Sequence, residues 1–299
     1  MRALSRASGL WTSIKVVDAV ADGTGTVDIT LDRVRPVMPH FEVNGSVFVP
    51  RPSGKLLTPY TLDMEREFQE VRLEIARLYG AENHLNKVTV RGPADWIGLV
   101  ATGHTHNEMI EALRLLGFAS DDDLRDAGIR ILKLEMPIPH DPRIVREFAS
   151  GLTEVMVIEE KNPTLELMVK DALYSLNERP VVTGKQHPDG TALLPRTGTL
   201  DADTIAPRLR ARLGQRLSQR MTPPPAAPRQ MIPLSVNRSP YFCSGCPHNS
   251  STKVAAGELI GGGIGCHSMV MLMEPDRVGN IVGLTAMGNE GAQWIGMAP

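Results

Sequence analysis

The sequence is poor in cysteine and in aromatic residues, and it has no long apolar run. Its 299 residues include 3 cysteines, and Phe, Trp and Tyr together make up 4%. No stretch of about eighteen apolar residues is present to form a membrane-spanning helix, and the first residues lack the continuous apolar core of a secretory signal. The formal net charge of −2 gives no reason to expect nucleic acid or an anionic membrane as a partner. We therefore expect a cytoplasmic protein with no nucleic-acid and no membrane partner.

The three cysteines lie close together near the end of the chain. Cys243 and Cys246 belong to Phe-Cys-Ser-Gly-Cys-Pro-His, and Cys266 belongs to Gly-Gly-Gly-Ile-Gly-Cys-His. An odd number of closely spaced cysteines argues against a disulfide framework and for reduced thiols or metal ligation. Two thiolates on a tight turn and a third from a glycine-rich loop favour an iron–sulfur cluster. A zinc ion with His267 as a further ligand, and buried thiols without a metal, remain open.

A second candidate site follows the apolar run of residues 280–286. In the segment Met-Gly-Asn-Glu-Gly at 287–291, glycines flank the carboxylate of Glu290. A short turn of this kind between a strand and a helix presents backbone N–H groups to a diphosphate, while the carboxylate ligates Mg²⁺. The competing interpretation is an ordinary polar turn between a strand and a helix. Together with the cysteines, the turn suggests a redox centre beside a magnesium–diphosphate site.

Short β-rich runs alternate with helical periods in the middle of the chain. The predicted strands are residues 97–101, 129–134, 155–158 and 181–182, and the predicted helices are residues 103–116, 142–149 and 163–176. Such alternation is typical of right-handed βαβ units, so the sequence predicts an α/β fold with a parallel sheet.

Polar residues follow two of these predicted strands. His104 and His106 come at the carboxyl end of the first strand, where α/β folds place ligands, and either ring is a candidate contact for a phosphate or acyl group. The alternative is a solvated turn in which Thr105 caps the next helix. Glu159, Glu160 and Lys161 follow a later strand, and we expect them to pair internally across a domain interface, with a functional role as the alternative.

The two ends of the chain differ from its middle. Residues 12–17 and 27–31 are predicted as strands, and residues 36–62 are proline-rich and irregular, followed by a helix that we expect Asp63 to cap. Residues 222–228 contain four prolines in seven positions, which predicts an extended linker. About sixty residues follow the linker, too few to close an α/β domain, so we expect the chain to be truncated at both ends.

Taken together, these motifs resemble the indolepyruvate ferredoxin oxidoreductase family, which belongs to the thiamine-diphosphate-dependent 2-oxoacid:ferredoxin oxidoreductases. The segments that carry the resemblance are residues 8–11, 98–103, 157–161, 184–185, 242–249, 263–267 and 290–296. By this resemblance the chain is α/β, with a transketolase-C-terminal-like domain flanked by partial thiamine-diphosphate-binding domains. The implied boundaries are the end of a pyrimidine-binding domain at 1–35, a connector at 36–92, the α/β domain at 93–218, a proline-rich linker at 219–238, and the start of a thiamine-diphosphate and iron–sulfur domain at 239–299.

The resemblance also implies site residues. Cys243, Cys246 and Cys266 match three ligands of a [4Fe–4S] cluster, and Glu290 matches a Mg²⁺ ligand beside thiamine diphosphate. The further expected cofactor contacts are Gly265, His267, Gly288, Asn289 and Gly291, with Asn289 standing where the turn of the family has glycine. The activating glutamate, the fourth cluster cysteine and the other Mg²⁺ ligands are expected outside this chain, which we therefore expect to be inactive alone.

The activity implied by the resemblance is the oxidative decarboxylation of an arylpyruvate, an indolepyruvate-like 2-oxoacid, to its acyl-CoA. Coenzyme A is the co-substrate, ferredoxin accepts the electrons from the cluster, and the complete enzyme is expected to be a homo- or hetero-oligomer. Two alternatives remain: a truncated remnant or scaffold fragment without catalysis, and a non-oxidative thiamine-dependent decarboxylase. Iron content and thiamine binding distinguish these three interpretations.

Overall fold

The computed structural model describes residues 1–30, 34–224, 239–255, 257–274, 278 and 280–297. The chain divides into two compact units, Met1–Pro224 and Pro225–Pro299. Most of the predicted linker, residues 225–238, lies outside the described residues. Within the described part of the chain, no helix is both long and apolar enough to cross a membrane.

The first unit begins with short elements and continues with alternating helices and strands. In chain order they are α1 (Arg2–Ser8), α2 (Asp18–Ala21), β1 (Glu42–Val43), β2 (Ser46–Val47), α3 (Tyr60–Glu67), a π-helical turn (Phe68–Arg72), α4 (Leu73–Glu82), β3 (Asn86–Val90), β4 (Ile97–Thr102), α5 (Gly103–Leu115), α6 (Asp121–Asp126), β5 (Ile129–Leu134), α7 (Pro142–Ala149), β6 (Glu154–Ile158), α8 (Thr164–Tyr174), β7 (Val181–Thr183) and α9 (Ala202–Leu217).

A five-stranded sheet organises this unit, with the strand order β3-β5-β4-β6-β7. Strands β5, β4, β6 and β7 are parallel to one another, and Ile97 pairs with both Ile129 and Glu154. The α/β fold with a parallel sheet is therefore confirmed. One edge differs from the prediction, because β3 joins β5 in the antiparallel direction and was not predicted as a strand.

Both faces of the sheet are covered, because successive residues of a strand point to opposite sides. Leu99, Ile131 and Met156 belong to the apolar core that includes side chains of α5 and α9. Their neighbours Val100, Leu132 and Val157 belong to the other core, with side chains of α7 and α8. Burial on both faces explains why these strands are continuous apolar runs rather than alternating ones.

Local signals in the sequence fix several helix starts. Ser120 and Asp123 form a capping box at α6. Asp141 accepts a hydrogen bond from the Arg143 N–H at 3.0 Å, ahead of Pro142 in the first turn of α7. Asp201 accepts one from the Thr204 N–H at 2.8 Å at the start of α9. Each bond satisfies a backbone donor that the helix itself leaves free.

The amino-terminal expectations are partly wrong. Residues 12–17 and 27–30 are not strands, and the only element between them is the short helix α2; Leu31 lies outside the described residues. The helix predicted after Asp63 exists, but it begins at Tyr60 with Pro59 at its cap and no side-chain cap bond. Residues 12–30 include several residue types that favour strands, but they are largely exposed and pair with no neighbouring strand. Strand propensity alone is not enough to form a strand.

The second unit is small. Its described elements are α10 (His248–Ser251), β8 (Leu259–Gly262), a 3₁₀ helix (Cys266–Leu272), β9 (Asn280–Leu284) and α11 (Trp294–Met297). Strands β8 and β9 are parallel. A small core of Phe242, Val270 and Val278 lies beneath them, with Cys246 and Ile281 packed against it. The flanking thiamine-diphosphate-binding domains of the predicted fold remain predictions.

Candidate cofactor site

The two segments predicted to bind cofactors follow neighbouring parallel strands. The loop of Gly265, Cys266 and His267 comes after β8, and the turn that contains Glu290 comes after β9. Since β8 and β9 are parallel, both segments leave the sheet at the same edge. The Thr285 N–H donates to the Gly262 carbonyl at 3.2 Å, which continues the pairing past the strand ends. The carboxyl edge of parallel strands is where α/β folds bind ligands.

The Cys-Ser-Gly-Cys segment forms a tight turn. The Cys246 N–H donates to the Cys243 carbonyl at 3.0 Å, and the Asn249 side-chain amide donates to the same carbonyl at 3.0 Å. The Cys243 thiol is exposed, whereas Cys246 is half-buried, with its Sγ 3.3 Å from His248 Nδ1. The turn presents both thiols close to the start of α10. Helix α10 begins after Pro247 without a side-chain cap bond, so Ser250 and Ser251 lie within it and do not cap its start. Thr252 follows its last residue and donates from its hydroxyl to the His248 carbonyl at 2.6 Å.

Stacked rings connect the two cysteine-bearing segments. The Phe242 and His248 rings stack with centroids 5.0 Å apart, and the His248 and His267 rings stack at 5.4 Å. His267 is the neighbour of Cys266, an exposed thiol at the start of the 3₁₀ helix. Gly265 precedes it with φ +102°, a backbone conformation that favours glycine. The stack therefore brings the segments of Cys246 and Cys266 into one neighbourhood.

His267 has a defined hydrogen-bonding arrangement. Its Nδ1 accepts the Gly263 N–H at 3.2 Å, so a neutral ring carries its proton on Nε2. In the part of the chain that the structure describes, Nε2 is buried and has no hydrogen-bond partner. A buried donor without an acceptor is costly, and an anionic group at this position would satisfy it.

The Glu290 carboxylate lies beside the same glycine. Its Oε2 accepts the Gly288 N–H at 3.0 Å. A Cβ built on Gly263 would lie 2.9 Å from Glu290 Cγ and 3.1 Å from Oε1, so the carboxylate packs directly on the backbone at Gly263. That backbone N–H binds His267. Gly263 thus joins the predicted Mg²⁺ ligand to the loop of Cys266.

Two polar residues at this edge were missed by the sequence analysis. A Cβ on Gly261 would lie 1.9 Å from Gln293 Nε2, and one on Gly283 would lie 3.0 Å from Gln293 Oε1. Gly261 and Gly283 pair in the β8–β9 register, so the Gln293 amide occupies a slot that two glycines leave open. Gln293 Nε2 and Thr285 Oγ1 are buried without a partner among the described residues. The paired glycines are the sequence signal that this slot exists.

The residues predicted to bind cofactors carry the kinds of chemical group that those cofactors need. Thiolates suit an iron–sulfur cluster, and unpartnered donors at the end of parallel strands suit a diphosphate. Among the residues that the structure describes, no three His, Cys, Asp or Glu side chains gather into a group that could hold a metal ion. The assignments of Cys243, Cys246, Cys266 and Glu290 as metal ligands, and those of the neighbouring cofactor contacts, therefore stay predictions.

The histidines after β4 do not lie in a solvated turn. Helix α5 begins at Gly103 with Thr102 at its cap, so the expectation that Thr105 caps it is wrong. His104 Nε2 lies 3.0 Å from Glu108 Oε1, and Glu108 Oε2 accepts the Ala202 N–H at 2.8 Å. His106 is buried and both of its ring nitrogens lack a hydrogen-bond partner among the described residues.

Burial lowers the pKa of His106; the Asn107 side chain opposes this effect in smaller measure, and the charges of Lys133, Glu135 and Lys87 alter it less. Its ring is therefore neutral near pH 7 and packs in the core as an apolar group.

The Glu159-Glu160-Lys161 segment has a structural role. Glu159 is buried, and its two carboxylate oxygens accept the Leu165 and Glu166 N–H groups at 2.8 and 2.9 Å, so it caps α8. Burial raises the pKa of Glu159 and lowers the pKa of Lys185. Lys185 donates to the Glu159 carbonyl and, at 2.9 Å, to the Pro195 carbonyl. These hydrogen bonds lie within the first unit. They join Lys185, which follows β7, to Glu159, which follows β6, and to Pro195.

Comparison with known proteins shows what the first unit is similar to. Residues 87–223 match the model of the family described as "Indolepyruvate oxidoreductase domain". This segment contains the whole parallel part of the sheet together with α5 to α9. The resemblance inferred from the sequence is confirmed over this segment, which is similar to the indolepyruvate oxidoreductase domain.

Similar curated proteins are indolepyruvate oxidoreductase subunits. The IorA subunit of Methanothermobacter thermautotrophicus is 28% identical over 260 residues, which are 86% of this chain and 37% of that subunit. The IorA subunit of Methanothermobacter marburgensis is 28% identical over 82% of this chain and 36% of its own length. The chain thus spans little more than a third of the length of these relatives.

Two solved structures are similar to parts of the chain. A structure described as "Split gene transketolase, inactive beta4 tetramer" has a TM-score of 0.30 at 23% identity, and the match covers 43% of this chain and 41% of that chain. A 2-oxoglutarate:ferredoxin oxidoreductase from Magnetococcus marinus, with 2-oxoglutarate, coenzyme A and succinyl-CoA bound, has a TM-score of 0.34 at 15% identity and covers 62% of this chain and 28% of its own. At these scores neither likeness bears on function.

Proposed function

We propose that this chain contributes the redox and cofactor-binding part of a 2-oxoacid:ferredoxin oxidoreductase that acts on an arylpyruvate such as indolepyruvate. The family of residues 87–223 supports the reaction class. The observation that carries the proposal for the second unit is the shared edge of β8 and β9. There the segment of Cys266, the turn of Glu290 and three buried donors that have no partner among the described residues occur together.

The reaction joins a 2-oxoacid and coenzyme A and releases carbon dioxide and the acyl-CoA. Two electrons leave the substrate and reduce two one-electron ferredoxin acceptors. Thiamine diphosphate, when bound, supplies the nucleophilic carbon and the electron sink that this decarboxylation needs. A [4Fe–4S] cluster held by Cys243, Cys246 and Cys266, with a fourth ligand from outside these residues, would carry the electrons singly.

The residues of this chain would bind and orient the cofactor. The His267 Nε2–H, the Thr285 hydroxyl and the Gln293 amide are the donors available to a diphosphate. Glu290 offers an oxygen ligand of the kind that Mg²⁺ prefers, and Gly265, Gly288, Asn289 and Gly291 offer backbone close to it. No proton-transferring catalyst is assigned within the chain, so we expect it to be inactive unless a partner or a further segment completes the site. The predicted domain boundaries and the oligomeric complex with ferredoxin belong to the same proposal.

Anaerobic reconstitution of the full chain with iron and sulfide tests the cluster. We expect about four iron atoms per chain, a broad absorption band in the visible region and a paramagnetic signal after reduction. Replacing Cys243, Cys246 or Cys266 with Ser should remove most of the bound iron, whereas Ser244→Ala on the same turn should retain it. Chains that bind zinc in place of iron, or that bind iron equally well without these thiols, would contradict the cluster assignment.

Thiamine diphosphate binding separates the alternatives. Trp294 lies beside Gly261 and next to Gln293, so its fluorescence reports on this edge of the sheet. We expect thiamine diphosphate with Mg²⁺ to change the emission, and Thr285→Val and Gln293→Leu to weaken binding at least tenfold, while the exposed Ile295→Ala control binds normally. A chain that binds thiamine diphosphate but no iron would favour a non-oxidative decarboxylase. A chain that binds neither cofactor would favour a non-catalytic remnant.

A further inference from the structure

The His248 ring contacts two other rings of the second unit. It stacks on Phe242 with 25° between the ring planes and on His267 with 28°. Phe242 is buried in the small core of this unit, and Nδ1 of His267 accepts the Gly263 N–H at 3.2 Å. Because both neighbouring rings are held by contacts of their own, the orientation of the His248 ring is restricted.

The backbone around His248 is held by hydrogen bonds. The His248 carbonyl accepts the Thr252 hydroxyl at 2.6 Å and the Thr252 N–H at 3.3 Å, and the Thr252 side chain is buried. The Asn249 N–H donates to the Cys246 carbonyl at 3.0 Å. These bonds hold the Cys-Pro-His segment in one conformation, so the imidazole and the thiol stay close to each other.

One nitrogen of the His248 ring lies against a sulfur. Nδ1 is 3.3 Å from the Cys246 Sγ, within hydrogen-bonding distance for sulfur. With a free thiol either group can donate, depending on the tautomer of the ring. A thiol that binds a metal ion has lost its proton, so its sulfur can only accept. With iron bound to Cys246, this contact therefore requires a proton on Nδ1 of His248.

We propose that His248 is a positioning residue, which donates a hydrogen bond from Nδ1 to the Cys246 sulfur of the bound cluster and thereby raises the reduction potential of the cluster. Hydrogen bonds to the sulfurs are among the factors that set cluster potentials. A donor stabilises the reduced cluster more than the oxidised one, because reduction adds negative charge. The inference rests on the cluster of the proposed function and gives a role to a residue outside its ligand set.

Redox titration of the reconstituted full chain tests this role. His248→Phe keeps a flat ring for the stacking contacts but has no donor. We expect its cluster to be reduced about tenfold less favourably, because a hydrogen bond to a charged group is lost, which is a fall of about 59 mV for a one-electron couple. His248→Gln keeps an amide donor and should show a smaller fall. Ser251→Ala, at an exposed position of the same short helix, should titrate like the wild type.

Pulsed paramagnetic resonance of the reduced cluster gives a readout that a purely structural role would not produce. The wild type is labelled at Nδ1 of histidine with the heavy nitrogen isotope, and we expect magnetic coupling between this nitrogen and the cluster. His248→Phe should lose the coupling and Ser251→Ala should retain it. Thermal unfolding and iron content are measured for each variant, and the experiment on the wild type does not depend on the folding of any variant.

The outcomes separate this inference from the proposed function. Equal potentials in the wild type and His248→Phe, or no nitrogen coupling in the wild type, would overturn the inference and leave the cluster assignment in place. Loss of most of the iron from a normally folded His248→Phe chain would also overturn it, because His248 would then be an iron ligand. A wild type that binds no iron would contradict the proposed function, and this inference with it.

Discussion

The imidazole ring of His248 stacks on that of His267 with 5.4 Å between the ring centroids. One ring belongs to the Cys-Ser-Gly-Cys-Pro-His segment and the other follows Cys266, so the contact joins residues that are far apart in sequence. The Phe242 ring also stacks on that of His248, with 5.0 Å between the ring centroids, and belongs to the small core of the second unit. The positions of the cysteine-bearing segments thus depend on a few aromatic contacts.

Removing the Phe242 ring should make the Cys246 thiol accessible to solvent. In the wild type we expect Cys243 and Cys266, which are exposed, to react quickly with a chromogenic disulfide reagent, and the half-buried Cys246 to react slowly. Phe242→Ala removes a buried ring, at a cost of about 3–5 kcal/mol in a well-packed core, and should make the third thiol react as fast as the other two. Tyr241→Ala, which removes an exposed neighbouring ring, is the control. Three equally fast thiols in the wild type would contradict the packing described for Cys246.

Adding one methyl group at Gly261 should displace the Gln293 side chain from the space between Gly261 and Gly283. Gly261→Ala places a Cβ 1.9 Å from Gln293 Nε2, so Gln293 must leave the slot, and the strain or rearrangement should cost about 1–3 kcal/mol. We expect faster hydrogen exchange across residues 285–297, measured by mass spectrometry of peptides. Gly296→Ala adds the same methyl group into open space and should leave this exchange nearly unchanged. Equal exchange in the two variants would show that Gln293 does not fill the slot.

Removing one partner of a buried ion pair should destabilise the first unit. Arg130 Nε donates to Asp95 Oδ2 at 2.8 Å, and the Asp95 side chain is 0% exposed. Arg130 also donates to the Phe148 and Ser150 carbonyls, so Asp95→Ala leaves a buried charge without its partner. We expect the free energy of unfolding to fall by about 3–5 kcal/mol. Asp122→Ala breaks an exposed pair with Arg125 and should cost less than about 1 kcal/mol. Urea unfolding of both variants measures the two losses of unfolding free energy. Similar losses would contradict the prediction that the buried pair matters more than the exposed one.

The buried histidines predict a loss of stability in mild acid. Burial lowers the pKa of His106 below its ordinary value of 6.5, so the unfolded chain binds its proton more readily than the folded chain does. The stabilisation is complete above about pH 6.5 and decreases as the pH falls below it. His140 acts in the same direction, because burial lowers its pKa despite the opposing charges of Asp141 and Asp171.

Urea unfolding of the wild type and of His106→Leu between pH 5.5 and pH 8 measures this dependence. The variant removes a titrating group and should show a shallower loss of stability below pH 6.5, with little change at pH 8. His104→Leu is the control, because His104 is more exposed and interacts with Glu108. Identical pH profiles for the wild type and His106→Leu would contradict the burial of a neutral ring.

The middle of the fold was accessible from the sequence because its signals are local and strong. Strand β5 and helix α7 have the predicted bounds, and β4, β6 and α8 differ by one or two residues at their ends. The missed strand β3 has an intermediate pattern of burial, and its pairing with β5 is long-range. The strands predicted at residues 12–17 and 27–31 show the opposite error: the described residues of both segments are not strands, because β-branched residues form no strand without a neighbouring strand to pair with.

The sequence by itself determined the chemistry available to this protein and the α/β class of its fold. Three cysteines, a glycine-flanked Glu290 and continuous apolar runs do not depend on how the chain folds. Only the tertiary structure decided that Glu159 caps α8 rather than lining a site, that His248 stacks on His267, and that Gln293 fills the slot between Gly261 and Gly283. The reason is physical: local periodicity fixes which face of an element is buried, whereas contacts between distant residues depend on strand register and packing.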